Sequence, residues 1–133
     1  MLTGCRGECA ITEDGFEAAV QRVADAGDDA RRAIDRAVGA LREGCAAHNA
    51  GRSMADVVDQ LVAAGGREIR LSAADAFREY ERAIATMRAG VVRTLVDEDG
   101  LSLTDVAKRM KISRQAAARL YQPGQDRQER KPG

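Results

Sequence analysis

Two adjacent side chains near the C-terminal end of the chain, Arg114 and Gln115, carry hydrogen-bonding groups that match the edges of DNA bases. An Arg guanidinium can donate two parallel hydrogen bonds to guanine, and a Gln amide can both donate and accept on adenine. Each such bidentate contact discriminates against a wrong base by about 1 to 3 kcal/mol. An element that presents both residues at its surface can therefore read the major groove.

The charges are distributed unevenly, although the chain has 21 basic and 21 acidic residues. Residues 101–133 hold eight basic and three acidic side chains, a net charge of +5, whereas residues 12–100 have a net charge of −5. Between residues 101 and 121, five basic residues accompany a single acidic one, Asp105. Because phosphate binding needs such a basic region, we predict the nucleic-acid contact there. We expect the acidic run at residues 97–99 to point away from phosphate.

A second set of side chains with chemical potential comprises three thiols and one imidazole, from Cys5, Cys9, Cys45 and His48. Cys45 and His48 are three positions apart, which places them on one face of a helix, and this ligand combination suits zinc. A metal- or redox-responsive switch is therefore an alternative hypothesis. Against it, Cys5 and Cys9 lie in a segment without periodicity, and a Cys in an apolar stripe is ordinary core. We predict no bound cofactor and no metal.

The sequence argues against an enzyme and against a membrane protein. His48 is the only histidine, and its position near a helix end favours a capping or solvent role over catalysis. There is no Gly-rich phosphate loop or nucleophile elbow, and the longest apolar runs are only a few residues. Three cysteines and an N-terminus without the pattern of a secretory leader predict a reducing, cytoplasmic location.

Two long segments place apolar or small residues alternately four and three positions apart, the pattern of helices that pack along one stripe. The first runs from Thr12, a predicted cap, to Asn49, as one helix or as two separated at Gly27. Its stripe comprises Phe16, Val20, Val23, Gly27, Ala30, Ile34, Ala37 and Leu41. The second starts behind a capping pair at Ser72 and Asp75, and its stripe comprises Ala73, Phe77, Tyr80, Ile84, Met87, Val91 and Leu95.

A short helix is predicted between the two long ones, capped by Ser53 with Asp56 and ended by Gly65 and Gly66. No segment alternates with a period of two, so the predicted fold class is all-α, a long antiparallel helical hairpin or bundle. We expect residues 12–96 to form a dimerisation body. The stripe aromatics Phe16, Phe77 and Tyr80, with Met87, are expected to be core rather than an effector pocket, and no effector is identified.

Two further short helices are predicted after Gly100. Ser102 with Asp105 forms a capping box before a helix over residues 103–109, and Ser113 caps another that ends near Tyr121. The interval between them is long enough only for a tight turn, so the helices must cross steeply. The side chains that then face one another are Val106, Ala107, Met110, Ile112, Ala117 and Leu120.

The stretch LTDVAKRM, KI, SRQAAARL resembles the helix-turn-helix of bacterial transcription regulators over about 20 residues, or about 35 if residues 87–96 supply a preceding helix. The resemblance implies that the second helix lies in the major groove. Carried over by position, it implies base contacts from Ser113, Arg114, Gln115 and Arg119, and phosphate contacts from Lys108, Arg109 and Lys111. Many members have Gly at the position of Lys111, so we expect a left-handed Lys there or a different turn.

The predicted function is a sequence-specific DNA-binding transcription regulator whose helix-turn-helix module spans residues 97–122. Specific sites commonly need two such modules about 34 Å apart on double-stranded DNA, so a homodimer is expected. The alternative from another class is a protein-binding adaptor of the transcription machinery that uses the same helical body and basic corner. Residues 1–11 and 123–133 are expected to be a flexible tail and a disordered polar tail.

Overall fold

A computed structural model describes the backbone of residues 13–122 and the side chains of residues 15–122. In this range 86% of the residues are helical and none is in a strand, which confirms the all-α fold class. Thr12 and both predicted tails lie outside the described residues. No helix within residues 13–122 combines the length and apolar character needed to cross a bilayer.

The described chain forms five helices in the order α1 (Glu13–Asn49), α2 (Met54–Ala63), α3 (Gly66–Asp97), α4 (Leu103–Met110) and α5 (Arg114–Tyr121). Contacts group them into two compact units. We call residues 13–23 together with 82–122 the terminal unit, and residues 24–81 the central unit. The long helices α1 and α3 each contribute to both units.

Helix α1 is a single helix of 37 residues that continues through Gly27. A Cβ atom at Gly27 would lie 3.4 Å from Cε1 of Tyr80, so the glycine lets α3 approach closely. Within the next turn of the helix, Asp28 pairs with Arg31, and Asp29 pairs with Arg32 at 2.6 Å. Such i,i+3 pairs offset part of the roughly 1 kcal/mol that a Gly costs in a helix interior.

The predicted start of the second long helix at Ser72 is wrong, because α3 already begins at Gly66. Gly65 ends α2 with φ +83°, and its carbonyl oxygen accepts from the N–H of Ile69 at 2.9 Å, so the new helix starts immediately. The Arg, Glu and Leu side chains before Ser72 favour helix, and an exposed Ser costs a helix little. The cap at Ser53 is confirmed, since its hydroxyl oxygen accepts from the N–H of Asp56 at 3.1 Å.

In the central unit, α1 runs antiparallel to α3 and also packs on α2. Gly27 lies against Tyr80, while Ala37 and Ala40, later in α1, share a groove with Ile69, earlier in α3. Towards the end of α1, a Cβ atom at Gly44 would lie 3.2 Å from the Val57 side chain of α2. The helices therefore meet through small residues, as the alanine-rich composition indicates.

The expectation that the apolar stripes form the core is wrong for several of the largest side chains. Phe16 and Phe77 are 43% and 47% exposed, and Val20, Ile34 and Leu41 are exposed as well. Tyr80 and Met87 are half-buried. The buried positions of α1 are instead small residues, Ala19, Ala30, Ala33 and Gly44. Close approach through small residues leaves the longer side chains outside the contact.

Candidate nucleic-acid interface

Helices α4 and α5 pack on the C-terminal part of α3 around one apolar cluster in the terminal unit. Its buried members are Val92, Val106, Ala107 and Ala117. The partly buried residues around it are Leu95, Val96, Leu101, Leu103, Met110, Ile112, Leu120 and Tyr121. The facing positions predicted from the sequence are thereby confirmed, and α3 supplies the preceding helix. Close packing of three helices fixes the orientation of α5.

Serine caps determine where both short helices begin. The Ser102 hydroxyl oxygen accepts from the N–H of Asp105 at 3.1 Å, and the Ser113 hydroxyl oxygen accepts from the N–H of Ala116 at 2.9 Å. Both caps have extended backbones, as the motif requires. The caps predicted from the sequence are confirmed, and Arg114 is the first residue of α5.

The turn between α4 and α5 is centred on Lys111, which has a left-handed backbone with φ 61° and ψ 47°. Among the described residues, Lys111 is the only non-glycine residue with a positive φ. The N–H groups of Lys111 and Ile112 both donate to the carbonyl oxygen of Ala107. Of the two alternatives drawn from the sequence, the left-handed Lys is the one that occurs. The exposed Lys111 side chain therefore occupies a position at which Gly would relieve about 1 to 2 kcal/mol of strain.

The side chains singled out from the sequence are all exposed on this helix pair: Lys108, Arg109, Lys111, Ser113, Arg114, Gln115 and Arg119. Gln115 and Arg119 are four residues apart and so project from adjacent turns of one face of α5. The alanines at 116 and 118 are partly buried and add little bulk beside that face. The helix pair thus presents a polar and cationic surface opposite its apolar cluster.

The five cations of this surface form no ion pair with any carboxylate of the described residues; they are Lys108, Arg109, Lys111, Arg114 and Arg119. Three arginines of the central unit, Arg31, Arg32 and Arg78, each pair with an Asp three residues earlier. A cation without a protein partner keeps its hydrogen-bond donors available to an external anion. The arrangement suits phosphate binding and base-edge recognition.

The C-terminal end of α5 is attached to α3 by polar contacts that the sequence analysis missed. The Tyr121 hydroxyl donates to Oδ1 of Asp97 at 2.7 Å, and Nη1 of Arg93 donates to the Tyr121 carbonyl oxygen at 3.4 Å. The hydrogen bond to Asp97, followed by desolvation, raises the pKa of Tyr121 above its usual value. The partners are 24 and 28 residues apart in sequence, so no local pattern signals them. Asp97 lies at the opposite end of α5 from Arg114 and Gln115.

Cys45 and His48 lie near the end of α1, and each has a local partner. The Asn49 amide donates to the Cys45 sulfur at 3.8 Å, and Nδ1 of His48 donates to the carbonyl oxygen of Arg52 at 3.0 Å. Cys45 is exposed, so its expected place in the core is wrong. Among the described side chains, residues 15–122, no three His, Cys, Asp or Glu cluster as a metal site would require.

Cys5 and Cys9 lie outside the described residues, so the metal or redox hypothesis for the set with Cys45 and His48 stays a prediction. Comparison of the chain with protein-family models, curated proteins and solved structures finds no match. The helix-turn-helix resemblance consequently stays an interpretation of residues 101–121.

Proposed function

We propose that the protein is a dimeric, sequence-specific DNA-binding transcription regulator that reads the major groove with α5. The observation that carries this proposal is the set of five unpaired cations, together with Gln115, on one exposed helix pair with a common core. Solvated cations are common on protein surfaces. Here, however, the five lie on one helix pair with a single acidic residue, Asp105, between residues 101 and 121, and none pairs with a described carboxylate.

The shape of α5 suits the groove it is proposed to enter. The B-DNA major groove is about 12 Å wide and admits an α-helix. Arg114, Gln115 and Arg119 are proposed to contact base edges, with Ser113 beside them at the N-terminus of the helix. The small side chains of Ala116 and Ala118 allow the close approach that these contacts need.

We propose that the cations of α4 and of the turn contact the phosphate backbone of the DNA. Lys108 and Arg109 occupy the last turn of α4, and Lys111 follows directly in the turn. Contacts of this kind orient a protein on DNA without reading sequence, and their affinity falls steeply with salt. The serine caps and the Tyr121 contacts hold both helices in one arrangement, which reduces the ordering cost of binding.

A homodimer and a bacterial, cytoplasmic setting are parts of the same proposal. One α5 helix of eight residues offers few contacts, and a two-fold dimer doubles them on an inverted repeat. The exposed apolar residues of the central unit, including Leu41 and Val62, support association with protein. They also favour the second candidate function, an adaptor that binds a component of the transcription machinery.

The test is selection of random DNA fragments by the purified protein at about 150 mM salt, where nonspecific phosphate binding is weakened. The double variant Arg114→Ala, Arg119→Ala should bind the recovered motif about 30-fold to 10⁴-fold more weakly, from the loss of two contacts of about 1 to 3 kcal/mol each. A matched control, Arg31→Ala with Arg32→Ala, removes the same charge from the central unit. It should change affinity no more than about threefold, because these side chains belong to neither α4 nor α5 and exposed charges outside the contact are screened by salt.

Recovery of one shared motif by the wild type and the control, but not by the Arg114 and Arg119 variant, is the expected result. Circular dichroism must show equal helicity for all three proteins. Enrichment of no motif, or equal enrichment by every variant, would contradict the proposal and favour the adaptor. In that case the cationic surface of α4 and α5 would be tested for binding to RNA polymerase subunits.

A further inference from the structure

The central unit exposes a large set of aliphatic and aromatic side chains on all three of its helices: Ile34, Val38, Leu41, Met54, Val58, Val62, Leu71 and Phe77. On α2, three of them recur every four residues and so form one row along the helix. Single exposed apolar residues are ordinary, but a row that continues onto neighbouring helices is typical of an interaction surface.

A groove of about 350 Å³ lies within this apolar surface, where α1, α2 and the start of α3 meet. Ala37, Ala40 and Gly66 contribute small residues to its lining. Leu41 and Val62 also line it and are 64% and 72% exposed, so they project beyond the groove into solvent. The same surface therefore offers a depression and, directly beside it, protruding aliphatic side chains.

These features suit a second copy of the chain. A two-fold axis brings the same patch of both subunits together. The protrusion of each subunit can then enter the neighbouring depression of the other. In that arrangement, Val62 of each copy enters the groove beside Ala37 and Ala40 of the other. A small ligand of groove size would leave Leu41 and Val62 largely in water, whereas a second helix surface covers them.

The charged residues beside the apolar surface also favour a second copy of the chain as its partner. Arg67 and Arg70 line the groove, and Asp59 lies one turn before Val62 on α2. All three side chains are exposed, and none pairs with another described residue. Across a two-fold axis, the carboxylate beside the protrusion of one copy meets the guanidinium groups beside the groove of the other, and this occurs twice.

We propose that the groove and the apolar row of α2 form a two-fold homodimer interface, in which Val62 fills the groove and Asp59 pairs with Arg67 and Arg70 of the second copy. This inference deepens the proposed function, which needs a dimer, but it is argued without reference to DNA. The interface is formed by residues of the central unit and uses no residue of α4 or α5.

Charge reversal tests the proposal in solution without DNA. The chain has a mass of 14.3 kDa, so light scattering distinguishes a monomer from a dimer of twice that mass. The proposed dimer contains the contact of residue 59 with residues 67 and 70 twice. In a dimer of Asp59→Arg both contacts join two positive groups, and in a dimer of the double variant Arg67→Asp, Arg70→Asp both join two negative groups. Each variant alone should dimerise at least about tenfold more weakly than the wild type, because like charges across an interface are costly.

An equimolar mixture of the two variants is the decisive sample. In the mixed dimer, the guanidinium introduced at position 59 of one chain faces the carboxylates introduced at positions 67 and 70 of the other. The second pair of the mixed dimer keeps its native charges, which also match, so dimerisation should recover. This recovery excludes misfolding as the cause of the separate losses. Glu17→Arg, a charge reversal in the terminal unit, is the control and should leave the dimer intact.

Two results would overturn the inference. A wild-type chain that stays monomeric at about 100 μM, well above the Kd of an ordinary homodimer, shows that a second copy does not fill the groove. A wild-type dimer with no recovery in the mixture shows that the two-fold contact lies elsewhere. A monomer would also remove the dimer from the proposed function, whereas a dimer formed elsewhere would not. Because no DNA is present, either result leaves DNA reading by α5 to the Arg114 and Arg119 experiment.

Discussion

The apolar cluster around α4 and α5 and the helices of the central unit use their apolar side chains in opposite ways. In the terminal unit, valines such as Val92 and Val106 are fully buried, and the helices that carry the candidate interface share one core. In the central unit, the buried contacts are made mostly by small residues, while larger ones such as Val58 and Val62 face solvent. The helices around α4 and α5 thus bury their own apolar cluster, although Phe16 and Val20 elsewhere in the terminal unit are exposed, and the central unit leaves a surface that a partner can cover.

Their charged side chains differ in a complementary way. Arg31, Arg32 and Arg78 of the central unit pair with an Asp of their own helix, whereas Arg67 and Arg70 of that unit and the five cations of α4 and α5 pair with no described residue. Arg67 and Arg70 lie beside an apolar groove, while the five cations lie together on one helix pair. We propose that the first surface binds a second copy of the chain and that the second binds DNA.

The largest effect should come from the same substitution made in both units. Val106→Ala removes methyl groups from a fully buried site and should lower the free energy of unfolding by about 2 to 3 kcal/mol. Val62→Ala removes the same groups from an exposed site and should change it by no more than about 0.5 kcal/mol. Urea unfolding at one low protein concentration gives both values.

Val62→Ala should nevertheless weaken self-association, because Val62 is proposed to enter the groove of a second copy. Sedimentation at increasing protein concentration would reveal this effect, and Val106→Ala should show none beyond its effect on folding. Equal losses of stability for the two substitutions would contradict the contrast between a buried Val106 and an exposed Val62. Such a result would mean that Val62 is buried within its own chain.

A smaller effect is expected from the strained turn of the terminal unit. Lys111→Gly should raise the free energy of unfolding by about 0.5 to 1 kcal/mol, since Gly adopts the left-handed conformation without a steric penalty but loses more entropy on folding. The same change should reduce the salt dependence of DNA binding by about one phosphate contact. Thermal unfolding and titrations at several salt concentrations measure the two effects.

Lys111→Gln separates stability from charge, because it removes the cation and keeps the strained backbone. It should reduce the salt dependence as Gly does, without the gain in stability. A loss of stability on Lys111→Gly would show that the turn does not hold the left-handed conformation in solution.

The structure could be predicted from the sequence where it depends on neighbouring residues. The caps at Ser102 and Ser113, the tight turn between them and the burial of Val106 and Ala117 all follow from spacings of a few residues. These patterns carry their own physical cause, since a cap side chain bonds to an N–H three residues later. The positions of the candidate interface residues at the surface follow from the same register.

Features that depend on the approach of distant segments could not be predicted in this way. The stripe containing Phe16 and Phe77 has helical periodicity, but periodicity does not say whether the stripe packs within one chain or against another. A serine with an acidic residue three positions later, as at Ser72, is also tolerated inside a helix. The contact of Tyr121 with Asp97 joins helices far apart in sequence and has no local signature.

The smallest effect should come from this contact, which fixes the end of α5 to α3. Hydrogen bonding to Asp97 and desolvation raise the pKa of Tyr121, so folding favours the protonated hydroxyl. Its contribution is therefore complete below the unfolded pKa of about 10 and is lost as the pH rises through the higher folded pKa. Tyr121→Phe should be slightly less stable than the wild type in urea at about pH 8, and this difference should close as the pH rises through the folded pKa, where the phenol ionises. A difference that is independent of pH would assign the effect to packing of the ring and not to the hydroxyl.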